Sequence, residues 1–138
     1  MVSLLRMNYK FPYAKAGIWY RPIIPITLKY SKREITYLAL LDSGADFNIF
    51  HGDITKLLGI NLSKQKNSMS FGGIREGASG KGYFMPIEIG INNKFFTTTA
   101  VFSNDISDDG YGIWGEQGFF NKYKILFNYP SKSIEIQS

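Results

Sequence analysis

With 138 residues and a mass of 15.7 kDa, the chain suits one compact domain, because two halves of that length would each bury too little apolar surface. Hydrophobic residues at 44% and charged residues at 20% exclude a disordered or low-complexity chain, and the lack of cysteine excludes disulfides, thiolate metal sites and a thiol nucleophile. The net charge of +5 raises the question of an anionic partner, yet Lys and Arg are scattered from Arg6 to Lys132. Their tightest cluster, Lys29, Lys32 and Arg33, falls in a turn, which reads as a solvated surface with no nucleic-acid stripe.

The opening MVSLLRMNYK holds a short apolar patch broken by Arg6, too brief for a signal-peptide core or for the roughly 20 residues of a membrane span. A soluble cytoplasmic protein with no membrane partner is the expectation, with residues 1–20 as an extension ahead of a single domain over 21–138. Aromatics (11 Phe, 9 Tyr, 2 Trp) with Ile and Thr in short runs between Gly, Asn, Ser and Pro predict a mostly β protein. Ile24, Ile26, Leu28 and Tyr30 alternate along one strand face, Ser31 to Glu34 turn the chain, and Ile35 to Leu41 return as a nearly all-apolar, buried strand ending at Asp42. A short helix follows, with Asp53 as N-cap, Leu57 and Leu58 inward and Gly59 as its stop. Beyond a Gly-rich stretch, Phe71 to Gly82, come strands near Tyr83 to Ile91 and Lys94 to Phe102, then an acidic loop, Asn104 to Gly110. A second short helix is expected from Glu116 to about Tyr123, carrying Phe119 and Phe120. A last hairpin runs from Tyr123 to Asn128, turns at Tyr129 to Lys132, and ends with Ile134 and Ile136.

The chemistry-bearing segment is Leu38-Ala39-Leu40-Leu41-Asp42-Ser43-Gly44-Ala45-Asp46, where an acid directly follows an apolar strand. The strand restricts solvation of Asp42, Gly44 permits a tight turn, and Ala45 leaves room for a ligand backbone. Taken alone, the Asp-Ser-Gly tripeptide equally describes an Asp that caps its own loop.

Three blocks in order resemble the retropepsin-like aspartic proteases, the single-domain group that includes retroviral proteases and their cellular relatives. Arg21-Pro22-Ile23-Ile24-Pro25-Ile26, with the hairpin leading into Asp42-Ser43-Gly44-Ala45-Asp46, looks like the family's amino-terminal strands and catalytic loop. Phe71-Gly72-Gly73-Ile74 through Gly80 and Gly82 is similar to the glycine-rich flap, and Met85-Pro86-Ile87-Glu88-Ile89 to the strand after it. Ile113-Trp114-Gly115 resembles the apolar-apolar-Gly block that packs beneath the catalytic loop. The resemblance implies an all-β closed acid-protease barrel with a flap hairpin and one or two short helices. It makes Asp42 the catalytic acid of an aspartic endopeptidase, Ser43 and Gly44 the loop's supports, Ser43 by hydrogen bonding, and Ala45, Asp46, Gly72, Gly73 and Ile74 the substrate-binding residues. Glu116 stands where retroviral members carry an arginine, so two acids, Asp46 and Glu116, face one another without it.

Hydrolysis by carboxylates needs two acids sharing one proton. No second Asp-(Ser/Thr)-Gly occurs in the sequence, since Asp109-Gly110 lacks the hydroxyl residue. The partner Asp42 is therefore expected from a second copy, in a homodimer acting on a peptide or protein substrate. No cofactor is implied. His51 lacks a Ser-His-acid arrangement, Asp105, Asp108 and Asp109 lack calcium-loop spacing, so no metal is expected, and Gly72-Gly73 lacks the Lys-Ser/Thr of a phosphate loop. The competing readings are a non-catalytic retropepsin-like module that dimerises or binds peptides, and a basic, aromatic-bearing β module for single-stranded nucleic acid.

Overall fold

The computed structural model describes residues 8–72 and 79–138. Its elements in chain order are β1 (Asn8–Pro12), β2 (Ala14–Ala16), β3 (Trp19–Arg21), β4 (Ile23–Tyr30), β5 (Arg33–Leu41), β6 (Asn48–His51), α1 (Asp53–Leu57), a 3-10 turn at Leu62–Lys64, β7 (Ser68–Gly72), β8 (Ser79–Ile91), β9 (Lys94–Ser103), β10 (Gly112–Trp114), β11 (Lys124–Asn128) and β12 (Ser133–Gln137).

Strands β4, β5, β10, β6, β9 and β8 pair in that order, and β4 pairs back onto β8, which closes a six-stranded barrel. The 13-residue β8 serves two purposes. Its Tyr83 to Ile91 stretch joins the barrel beside β9, while Ser79 to Tyr83 pair with β7 as two antiparallel arms where the sequence blocks placed a flap. Gly73 and Ile74, at the expected tip, lie outside the described residues. β1, β12 and β11 form a separate antiparallel sheet, whose Ile134 and Ile136 are fully buried in the same core as Leu28, Phe50, Phe102 and Trp114. Each such side chain contributes roughly 1.5–3 kcal/mol. The first 20 residues thus supply β1 to this sheet and β2 with part of β3 to a two-stranded hairpin.

Local sequence explains the turns and corrects several expectations. Asn92 and Asn93 both adopt left-handed backbone (φ 47 and 66), the conformation a two-residue hairpin turn between twisted strands requires. The β4–β5 turn is likewise two residues long: Tyr30 pairs with Arg33, so Arg33 and Glu34 belong to the strand. β5 is buried on one face only; Ala39 and Leu41 are buried while Leu38 is 45% exposed. In α1 the N-cap is Gly52, with Asp53 the first helical residue. Ile54 and Leu58, four apart, face the core, and Leu57, one position off that stripe, points out at 58% exposure. Gly59 ends the helix in left-handed backbone (φ +74), as expected.

The segment after Gly115 is a run of turns in place of the second helix. Gly118 sits at φ +111, Gln117 bridges to Phe47, and the N–H groups of Phe120 and Asn121 reach back five residues to Gly115 and Glu116. Phe119 is still fully buried, against Trp114 and Phe96.

Candidate active site

β5 and β10 run parallel, with Ala39, Leu40 and Leu41 beside Gly112, Ile113 and Trp114. The last N–H of β5, on Leu41, donates to the Pro22 carbonyl (2.9 Å), and the next, on Asp42, donates to the Trp114 carbonyl (2.9 Å). Asp42 therefore leaves the strand with its backbone held between two chain segments, and its side chain is half-buried. The carboxylate Oδ1 accepts the Gly44 N–H at 2.8 Å, and the Asp42 carbonyl accepts the Ala45 N–H at 3.1 Å. A Cβ at position 44 would meet that Oδ1 at 3.1 Å, so glycine lets the loop fold this closely over the acid.

Gly115 fixes the other side of the loop. A Cβ there would collide with the carbonyl oxygens of Phe47 and Ala45, so the two chains touch backbone to backbone. The N–H groups of Glu116 and Gln117 donate to the carbonyls of Ala45 and Asp46, both at 2.8 Å. Asn48 completes the tie: its fully buried amide accepts the Gly115 N–H (3.1 Å) and donates to the Thr99 carbonyl (3.2 Å). Asn48 was missed in the sequence, although a polar residue between Phe47 and Ile49 was its signal. A buried amide so placed joins β6 to β9 and to the turn after β10, and pairs the buried Gly115 N–H.

Among the predicted residues, Asp42, Ser43, Gly44, Ala45 and Asp46 form this loop. Ser43 is exposed and makes no side-chain hydrogen bond among the described residues; backbone groups and Asn48 fix the loop. Ala45 is half-buried and Asp46 exposed. Neither Asp46 nor Glu116 has an ion-pair partner among the described residues. Gly72 pairs with Ser79 across the two arms.

A second polar group joins His51, Asp53 and Asp108, whose ligand atoms lie within 4.8 Å of one another. The Nδ1 of His51 already accepts the Asp53 N–H at 3.0 Å, which engages the lone pair a cation would need. In the acidic loop, Asp105 accepts the Lys81 N–H (2.9 Å) and so pins β8 to the loop. Tyr37 has its phenol pushed up from the usual value of 10.0 by burial, then by Asp108 and Asp109. No helix among the described residues is long and apolar enough to cross a membrane.

No protein-family model matches the sequence, and no curated protein matches it. Solved structures do resemble it. One is described as a retropepsin-like aspartic protease from Rickettsia conorii, with a TM-score of 0.64 and 14% identity over 96% of this chain and 92% of that one. Another is EIAV protease complexed with the inhibitor HBY-793, with a TM-score of 0.53 and 17% identity over 75% of this chain and 88% of that one. At such identities the likeness is one of fold, and it agrees with the all-β barrel that the sequence blocks implied.

Proposed function

We propose that this chain, which has a retropepsin-like fold, is an aspartic endopeptidase whose active site assembles at a two-fold axis from one Asp42 of each subunit. The observation that carries the reading is the position of Asp42: half-buried, at the mouth of the β5–β10 parallel pair, with its backbone held by Trp114 and its Oδ1 by Gly44. Peptide hydrolysis adds water across the C–N bond. One carboxylate, ionised, takes a proton from the attacking water while the other, neutral, donates to the carbonyl oxygen; the proton is then delivered to the leaving nitrogen. Two carboxylates close together hold one proton between them because both cannot ionise, and each chain supplies one Asp-Ser-Gly loop. The flap arms Ser68–Gly72 and Ser79–Tyr83 cover the bound peptide, and Ala45 and Asp46 line the cleft with Gly72, Gly73 and Ile74.

The test is cleavage of a peptide library across roughly pH 4 to 7, the range in which a carboxyl pair shares a proton. Asp42→Asn is expected to lose at least about 10³-fold in kcat/KM, with its unfolding midpoint and dimer unchanged. Hydrolysis at the wild-type rate by that variant would refute the assignment. Peptide binding by the wild-type protein without cleavage would point to the non-catalytic module.

A further inference from the structure

The β2–β3 hairpin carries the most exposed of the large hydrophobic side chains among the described residues, Ile18 at 80% and Trp19 at 58%. Its pairing explains the exposure. Ala14 lies opposite Arg21 and Ala16 opposite Trp19, so two methyl groups face two long side chains and the indole stands proud, with the Arg21 guanidinium 5.9 Å from its ring centre. Tyr20 points the other way, to Lys132, whose Nζ lies 5.3 Å from the Tyr20 ring and 3.6 Å from the Tyr129 ring. The Tyr13 N–H donates to the Lys132 carbonyl at 2.9 Å. One face of the hairpin is thus fastened to its own chain, while the face bearing Trp19 stays exposed among the described residues.

That hairpin runs directly into Pro22, whose carbonyl holds the N–H of Leu41, the residue before Asp42. The Arg21 end of the hairpin therefore lies at the margin of the Asp42 loop. Resting on the reading that two Asp42 meet at a two-fold axis, a second copy must approach along this margin. Charge points the same way: the hairpin carries Lys15 and Arg21 and no acid, while the exposed carboxylates of Asp46 and Glu116 have no ion pair among the described residues. A two-fold contact matches the cationic hairpin of each copy to the acidic loop of the other.

We propose that the β2–β3 hairpin is the clasp for a second copy of this chain, burying Ile18 and Trp19 in the contact that delivers the second Asp42. Trp19 and Trp114 are the two tryptophans, and Trp114 is fully buried, so acrylamide quenching that changes with protein concentration reports on Trp19. Trp19 is expected to become shielded with the same midpoint as dimer formation measured by sedimentation. The double variant Ile18→Ser/Trp19→Ser is expected to raise the dimer dissociation constant at least about thirtyfold, with the monomer's unfolding midpoint unchanged. A dimer in which Trp19 stays fully quenchable, or a double variant with the wild-type dissociation constant, overturns the clasp and leaves the protease reading standing. A wild-type monomer that cleaves at full specific activity overturns both. Loss of binding to phosphatidylserine–phosphatidylcholine vesicles by the double variant, with dimerisation unaltered, assigns the hairpin to a membrane surface and overturns the clasp.

Discussion

Replacing Gly115 with alanine tests whether the Asp42 loop is held by direct backbone contact. The added methyl would lie 2.7 Å from the Ala45 carbonyl oxygen and from the Phe47 carbonyl carbon, and closer still to the Phe47 oxygen. Ordinary contact begins at about 3.4 Å, so the loop must retreat by about 0.7 Å at the Ala45 oxygen and by more at the Phe47 oxygen. No flexible side-chain end can absorb this, because every atom met is backbone. Overpacking of this kind costs about 1–3 kcal/mol, and straining the 2.8 Å Glu116–Ala45 and 3.1 Å Gly115–Asn48 hydrogen bonds adds about 1 kcal/mol. Lower entropy of the unfolded alanine chain offsets about 0.4–1 kcal/mol. The net expectation is a loss of about 1–3.6 kcal/mol, seen as a fall of roughly 3–12 °C in the unfolding midpoint. A displacement approaching 1 Å at Asp42 should lower kcat/KM about a hundredfold in the folded variant. Gly110→Ala is the control: it meets nothing within 4 Å but occupies φ +83, so it is expected to lose about 1 kcal/mol of stability and no activity. A Gly115→Ala protein with the wild-type midpoint and wild-type cleavage would refute the wedge argument.

Asn48→Ala leaves the buried Gly115 N–H without its acceptor and removes the donor to the part-buried Thr99 carbonyl, and urea titration is expected to show a loss of about 1–3 kcal/mol; a change below about 0.5 kcal/mol would show that water replaces the amide. Tyr37, Tyr123 and Tyr13 have phenols raised above 10.0, each chiefly by burial. Stability from such groups is present below the unfolded value and fades as pH climbs through the folded one. Tyr37→Phe is therefore expected to flatten the fall of the urea midpoint above about pH 10, and an unchanged slope counts against it. Arg21→Ala and Asp46→Ala are expected to weaken the dimer non-additively, with coupling of about 2 kcal/mol or more if the contact buries the pair; purely additive dissociation constants reject it. Amide exchange at Ser68–Gly72 and Ser79–Tyr83 is expected to slow when a transition-state-mimicking peptide binds, and equal rates with and without it argue against a covering role.

The barrel was readable from the sequence because its strands announce themselves locally: Ile24, Ile26 and Leu28 alternate, and all are buried in β4. The same reading over-buried β5, since an apolar run does not reveal that Leu38 faces outward on a one-sided strand. Glu116 to Tyr123 has helix-compatible residues, but Gly118 at positive φ and the Gln117–Phe47 bridge are tertiary demands that outweigh a short segment's weak propensity. At the candidate site, Asp42 and Gly44 were legible as chemistry, and Ile113-Trp114-Gly115 as its neighbour only through resemblance. For Asn48 the one local sign was a polar residue between Phe47 and Ile49; its role was not legible, because its two partners, Thr99 and Gly115, are distant in sequence.

The insertion of β10 between β5 and β6 also orders events in time. Asn48 and Gly115 are separated by 67 positions, and the carbonyl that holds Asp42 belongs to Trp114. A nascent chain leaving the ribosome therefore exposes its acid long before the strand that fastens it exists, and contacts this far apart in sequence close late in folding. Until residues 112–117 have been translated, β5 and β6 have no strand between them and the Asp42 turn has no floor. The activity proposed for Asp42 would thereby await the completed barrel.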